Sequence, residues 1–441
     1  MNSAPSTLIR GGTLVTMDPG RRVFVGDLRL SGPAIQQLET NLEPLPGEKV
    51  IDAHGCFVIP GLIQTHTHLC QALFRGLADD MALLDWLQKK IWPFESSHND
   101  DSMYASAVVG LLEMQRLGTT AILDMASTRH TDAIFEAVVQ SKMRYWGGNC
   151  LADLKSTSGP LYMETKESLE ECERLIKMWH QKNSLTEYAL CPRFAVSCTE
   201  KILRASVELQ KDHNLLIHTH ASENKDEIAL VKKRTGRSNV DFLYDLGILS
   251  PQSVIVHGVH LTGGEVRKMV GTKTKLVHCP SSNLKLASGI APISRYLEAG
   301  MTVSLGADGA PCNNTMDPFL EMRLAALLQK PKFGPESLPA EQAFEMATLA
   351  GARTLGREKD LGSLEAGKLA DIVIVDRSHP SVATVESPYS ALVYSCSGRD
   401  VRDVFIHGEA VVRSSQHLFF DANVVVDSAK NELAKLLARI A

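Results

Sequence analysis

Gly61-Leu62-Ile63-Gln64-Thr65-His66-Thr67-His68 is the stretch on which both fold and chemistry turn. The mostly apolar run that leads into it reads as a buried strand. On a strand, residues i and i+2 share a face. His66 and His68 therefore reach one point in space with no bend in the backbone. Two imidazoles converging at a strand end suit a divalent transition metal. An isolated His-x-His is more often packing or surface than ligand, so the pair gains meaning only if further ligands lie elsewhere.

From Pro60 onward the chain alternates strands and helices. Apolar strand candidates end near His68, Asp124, Cys150, Arg193, Glu223, Leu261, Asn283 and Asp308. Helical periodicity covers Ser102 to Leu117, Ala133 to Lys142, Lys166 to Gln181 and Thr199 to Lys211. Eight strands with helices between them over ~250 residues predict an α/β fold of the (β/α)8 TIM-like barrel type. No GxGxxG follows an early strand, which removes the main support for a doubly wound sheet.

The flanks read differently. Leu8 to Met17, Val23 to Leu30, and Lys49 to Ile51 continuing through Cys56 to Ile59 are short strands, punctuated by Gly11-Gly12, Gly20 and Pro46-Gly47. After the barrel, Leu361 to Asp376 returns to strand, and Val401 to Val412 follows with a turn at His407-Gly408. Neither set makes a good core alone. Together they predict one small composite β-sandwich-like domain from residues 1–58 and 360–441, around a barrel domain of residues 59–359. Leu433, Leu436, Leu437 and Ile440, at helical spacing, predict a last helix packed on the barrel or the small domain. Gly362 to Lys368 fits the first seven places of a phosphate-binding loop. Leu369 follows, with no hydroxyl for Mg²⁺, and a strand comes next rather than a helix, so the stretch reads as a turn.

The chain has 441 residues, 44% apolar and 22% charged, as an ordinary globular protein does. A net charge of −5 gives no basic footprint for nucleic acid. No stretch approaches the ~18 apolar residues of a membrane span, and Met1 to Thr13 shows no secretory signal. Nine scattered cysteines without a CxxC pair predict free thiols in a reducing cytoplasm.

Active sites of such barrels gather at the C-terminal ends of the strands. The fifth strand ends in His218-Thr219-His220-Ala221-Ser222-Glu223, the sixth in Val256-His257-Gly258-Val259-His260, and the eighth in Leu305-Gly306-Ala307-Asp308-Gly309. Histidines and a carboxylate at four strand ends are the inventory of a mononuclear site with water as an added ligand. His218 competes with His220 on the same face. His54, His98, His180, His379 and His417 have no such context and read as surface or packing residues.

Pro60 to His68, the HxxE of His220 to Glu223, His257-Gly258 and Gly306-Ala307-Asp308 together resemble the amidohydrolase superfamily. The resemblance runs over nearly the whole chain and is narrower toward its aminohydrolase branch: methylthioadenosine/S-adenosylhomocysteine deaminases, guanine deaminases and triazine hydrolases. It implies His66, His68, His220 and Asp308 as ligands of one divalent metal, zinc or alternatively iron. It implies Glu223 and His257 as the proton-transfer pair, with Asp308 taking the proton of the attacking water. His260 and His278 fall outside these roles. Relatives with two metals use a modified lysine at the fourth strand, where this chain has Cys191-Pro192-Arg193, so one metal is expected. The HxE and PCxxC pattern of cytidine-type zinc deaminases is missing. A homo-oligomer, dimer or tetramer, is also expected.

The implied activity is hydrolytic deamination at a cyclic amidine carbon, with ammonia released from an amino-substituted N-heteroaromatic ring. A purine leads, either a guanine-like base or a 5′-modified adenosine. An s-triazine aminohydrolase or chlorohydrolase is the alternative, and a non-catalytic barrel scaffold has no use for all six residues. Gln71 and Arg193 resemble the glutamine and arginine with which guanine deaminases grip the base. Trp86 and Glu95 resemble the methylthioadenosine group, where the glutamate position meets ribose hydroxyls. These four residues are the expected substrate contacts.

Overall fold

The computed structural model describes residues 6–440. Met1–Pro5 and Ala441, at the outer ends of the expected composite domain and signal-free N-terminus, lie outside the described residues. The strands run in chain order as β1 (Ser6–Val15), β2 (Val23–Ser31), β3 (Ala34–Glu39), β4 (Lys49–Asp52) and β5 (Cys56–Pro60). The next nine are β6 (Leu62–Thr67), β7 (Thr119–Met125), β8 (Arg144–Gly148), β9 (Cys150–Leu151), β10 (Thr186–Pro192), β11 (Leu216–Ala221), β12 (Ser253–His257), β13 (Lys275–His278) and β14 (Val303–Leu305). Last come β15 (Ile372–Asp376), β16 (Val401–Ile406), β17 (Glu409–Arg413) and β18 (Gln416–His417).

The middle group is a parallel sheet in the order β6-β7-β8-β10-β11-β12-β13-β14, with β9 paired to β10. An isolated parallel bridge between Thr67 and Asp308 joins its two edges, so the sheet is a nearly closed (β/α)8 barrel. Gly306 makes that closure fit: a Cβ there would lie 2.7 Å from the His66 carbonyl oxygen. Apolar residues fill both faces of the strands. Ile63, Leu123, Val256 and Val277 belong to the cluster inside the barrel; Ile122, Ile217, Ile255 and Leu276 belong to the one between strands and helices.

The helices match the apolar periodicity and carry recognisable starts. Asp100–Arg116 and Lys225–Thr235 each begin with a reciprocal capping box, at Asn99 and Asn224. Thr131–Ser141, Thr165–Trp179 and Glu200–His213 follow where expected. Two strand ends differ from expectation. The sixth stops at His257 rather than Leu261, because His257 and Gly258 both take positive φ, 73° and 53°. The seventh stops at His278 rather than Asn283, because Pro280 opens a short helix, Pro280–Lys285.

The remaining strands form a second sheet, β18-β17-β16-β15-β5-β1-β2-β3, with β4 beside β1. It is thus built from both flanks of the barrel, through the antiparallel pair β15–β5. A buried ion pair ties it to the barrel floor: Arg144 donates from Nε and a terminal nitrogen to Asp371, both at 2.9 Å. Gly362 to Lys368 is a loop that leads into β15. The last helix, Ala422–Ile440, lies against Asp100–Arg116 of the barrel, with Leu436 buried and Leu437 and Ile440 at its edge, each 36% exposed. All nine cysteines are buried free thiols. No described helix is long and apolar enough to cross a membrane.

Candidate active site

The expected residues meet at the C-terminal end of the barrel. The Nε2 atom of His220 lies 3.2 Å from that of His66 and 3.3 Å from that of His68. Asp308 Oδ1 lies 3.3 Å from His66 Nε2 and 3.5 Å from His68 Nε2. The ring nitrogens on the far side are engaged. His68 Nδ1–H donates to the Met125 carbonyl at 2.8 Å, and His220 Nδ1–H to the Arg193 carbonyl at 2.7 Å. His66 Nδ1 is 2.9 Å from Nε2 of His218, one layer deeper in the barrel. Carbonyl partners fix the Nδ1–H tautomer, so the Nε2 lone pairs of His68 and His220 point at each other. Such crowding of lone pairs is repulsive until a cation sits between them. The set of three imidazoles and a carboxylate, with His66, His68 and Asp308 buried and His220 partly so, fits a divalent metal of the zinc type.

Electrostatics agree. Burial lowers the pKa of His68 to about 3, and it depresses His66, His218 and His220 as well. Neutral imidazoles are the ligand form. For Asp308, burial works to raise the pKa, but the neighbouring His66, with His257 and His68, holds it well below the usual carboxylate range.

Glu223 and His257 stand beside this cluster. His257 Nε2 is 3.6 Å from Glu223 Oε2 and 3.9 Å from Asp308 Oδ2. Local backbone sets both side chains. Ser222, His257 and Asp308 all take positive φ, at 56°, 73° and 63°, so the chain turns sharply at each strand end. Such conformations are costly for non-glycine residues and concentrate where function requires them. Just past Ser222, the Glu227 carboxylate accepts from the Glu223 backbone N–H at 2.9 Å, which fixes where that residue leaves the turn. Burial raises the pKa of Glu223, with Asp308 adding to the shift.

The pocket over the cluster opens to solvent, with about 370 Å³ of empty space in it and its mouth together. His68, His220, Glu223, His257 and Asp308 form its floor, Gln71 and Arg193 contribute polar walls, and Leu83, Trp86, Leu87, Phe194 and Leu286 the apolar ones. A few convergent polar groups in an apolar enclosure describe a small-molecule site. The apolar residues apart from Trp86 have no local pattern that marks them in sequence.

Two substrate expectations change. Glu95 does not reach the pocket wall. Its carboxylate is fully buried and accepts two hydrogen bonds from Arg193, at 2.9 and 3.1 Å, and one from Gln71 Nε2 at 2.7 Å. The Gln71 amide nitrogen is thus committed to Glu95, while its Oε1 is buried against Gly309 and has no partner among the described residues. The Trp86 indole N–H is likewise buried without a partner. Of the other histidines, His98 is buried and donates to the Cys70 carbonyl, and His260 bonds the Ser288 carbonyl.

The chain is 38% identical to a 5′-deoxyadenosine deaminase of Methanothermobacter thermautotrophicus over 98% of its own length and 99% of the relative's. It is 36% identical to a 5-methylthioadenosine/S-adenosylhomocysteine deaminase of Syntrophobacter fumaroxidans, over 97% of this chain and 98% of that one. Among solved structures, an adenosine deaminase from Xanthomonas campestris with bound zinc superposes with a TM-score of 0.91 at 27% identity, covering 99% of each chain. Residues 57–411 match the amidohydrolase family, and with these relatives the chain belongs to that family.

Proposed function

We propose that the protein is a metal-dependent hydrolytic deaminase of an amino-substituted purine, with 5′-modified adenosines as the leading substrate class. The carrying observation is the convergence of three Nε2 atoms and Asp308 Oδ1 beneath a pocket that Glu223 and His257 also face. His66, His68, His220 and Asp308 would hold one divalent ion, zinc by its donor set, and such an ion would lower the pKa of a water toward ~7.

The chain's own residues handle the protons. Asp308 Oδ2 accepts the proton of the attacking water. Glu223, whose pKa burial raises, delivers a proton to the ring nitrogen beside the attacked carbon. His257 Nε2, between Glu223 and Asp308, holds and polarises the attacking oxygen. The C–N bond to the amino group then breaks: Asp308 returns its proton to the departing nitrogen, ammonia leaves, and the remaining proton of the attacking water goes back to Glu223. Arg193 has only donors and Gln71 Oε1 only accepts, so together they read a flat ring edge that carries both an acceptor and an N–H or O–H.

Relatives named for 5′-deoxyadenosine and methylthioadenosine support nucleosides over free bases. The test is ammonia release by zinc-loaded protein from 5′-deoxyadenosine, methylthioadenosine, S-adenosylhomocysteine, guanine and an amino-s-triazine. Turnover of the first three with little on the others is expected. Turnover of the triazine alone overturns the reading.

A further inference from the structure

The seventh barrel strand supplies no metal ligand and no proton-transfer group, yet the loop after it touches all three proton-handling side chains. Ser282 Oγ donates to Asp308 Oδ2 at 2.6 Å. His257 Nδ1–H donates to Asn283 Oδ1 at 2.9 Å. Ser288 Oγ donates to Glu223 Oε1 at 2.9 Å. All three loop residues are buried. The loop is itself held. Asn283 N–H donates to the Cys279 carbonyl at 3.0 Å, and the Asn283 carbonyl accepts from Ser288 N–H at 2.9 Å. The buried Glu321 carboxylate accepts from both the backbone N–H and the hydroxyl of Ser281.

We infer that Asn283 and Ser288 are positioning residues that fix the working faces of His257 and Glu223. This rests on the proton roles proposed above. Asn283 Oδ1 keeps the Nδ1 of His257 protonated, so that every proton exchanged by the ring passes through Nε2, the nitrogen on the pocket side. Ser288 occupies one oxygen of Glu223 and leaves Oε2, the one nearer His257, to serve the substrate. The Nδ2 group of Asn283 is buried without a partner among the described residues, so the side chain acts through its oxygen alone. A chain of this kind matters because misplacement by ~1 Å at a reacting centre costs ~10²-fold in rate.

The unpartnered amide nitrogen makes the test selective. Asn283→Asp keeps the acceptor and loses no donated bond, whereas Asn283→Leu removes the acceptor at similar size. In zinc-loaded protein, Asn283→Leu is expected to lower kcat ~10²-fold with KM, zinc content and melting temperature held. Asn283→Asp should restore kcat to within ~10-fold of the parent, and Ser288→Ala should lower kcat ~10-fold with KM held. Nitrogen-15 spectra of histidine-labelled protein, with His257 assigned by its loss in His257→Phe, should show a protonated Nδ1 in the parent and not in Asn283→Leu. Parent-like kcat in Asn283→Leu, or equal losses in the Asp and Leu variants, overturns the inference. Should the parent release no ammonia from any substrate, the proposed function falls. The nitrogen spectrum then still decides whether Asn283 orients the ring: an unprotonated Nδ1 in the parent refutes it.

Discussion

The guanidinium of Arg193 grips the carboxylate of Glu95 through two nitrogens, at 2.9 and 3.1 Å, where neither side chain sees appreciable solvent. The pair lies 98 residues apart in sequence and forms one wall of the pocket through its arginine. For Glu95, burial works to raise the pKa, but the charge of Arg193 outweighs it and keeps the carboxylate ionised. Removing one partner of a buried pair strands the other and costs ~3–5 kcal/mol. Arg193→Met should therefore lower unfolding stability by that order and raise KM for the best purine. In the double variant Arg193→Met/Glu95→Gln, denaturant unfolding should show most of the stability regained while KM stays high. Stability and KM recovering together would mean that the arginine serves packing alone.

His68→Ala should lose zinc and activity together. His68 is buried, its Nδ1–H is committed to Met125, and its Nε2 faces the cluster. Metal analysis of the purified variant, expected well below one ion per chain against one for the parent, checks this. Two ions per parent chain would count against the single-metal reading.

Glu223→Gln should keep metal and fold yet lose turnover by ~10²-fold or more, as removal of a general acid does. Glutamine preserves an acceptor for Ser288 but cannot deliver the proton. Zinc content and single-turnover rates separate the two roles; loss of zinc would make Glu223 a ligand instead.

Two carboxyls away from the metal ligands give a pH signature to stability. Burial pushes Glu321 up to about 7 despite donors from Ser281 and Asn313, and burial with the nearby Glu223 pushes Glu227 up to about 7. Their native pKa values exceed the unfolded ones. The stability they contribute is thus full below the unfolded value and is lost as pH rises through about 7. Urea unfolding should weaken between ~pH 5 and ~pH 8, by on the order of 3 kcal/mol per group. Glu321→Gln, neutral throughout, should flatten part of that slope. An unchanged slope would mean that Glu321 is ionised in the native state.

The barrel was legible because its strands are continuous apolar runs and its helices repeat at 3.6 residues; both signals are local. His66, His68, His220, His257 and Asp308 stand out because strand ends are where the chain changes from apolar to polar, and imidazoles there have few bland uses. What escaped was non-local or carried by hydroxyls and amides. Val259 and Leu261 look like strand residues because the loop after His257 also packs apolar side chains inward, Val259 buried and Leu261 partly so. Glu95 reads as a free carboxylate until Arg193 is seen beside it. Ser282, Asn283 and Ser288 follow no period, and their meaning lies in partners at the end of one other strand and in the turns beyond two more.

The second sheet carries a cost in the order of synthesis. β5 lies between β1, which precedes it, and β15, which the ribosome makes only after the whole barrel. Throughout that interval the buried run Cys56-Phe57-Val58-Ile59-Pro60 has one unsatisfied edge, a template for pairing with other nascent chains. Pro60 has no N–H to offer a neighbour, and Gly61 leads straight into β6, so early barrel folding anchors one end of that edge. Completion of β15 and β16 then acts as a clasp, and the yield of native protein depends on how long the clasp stays open.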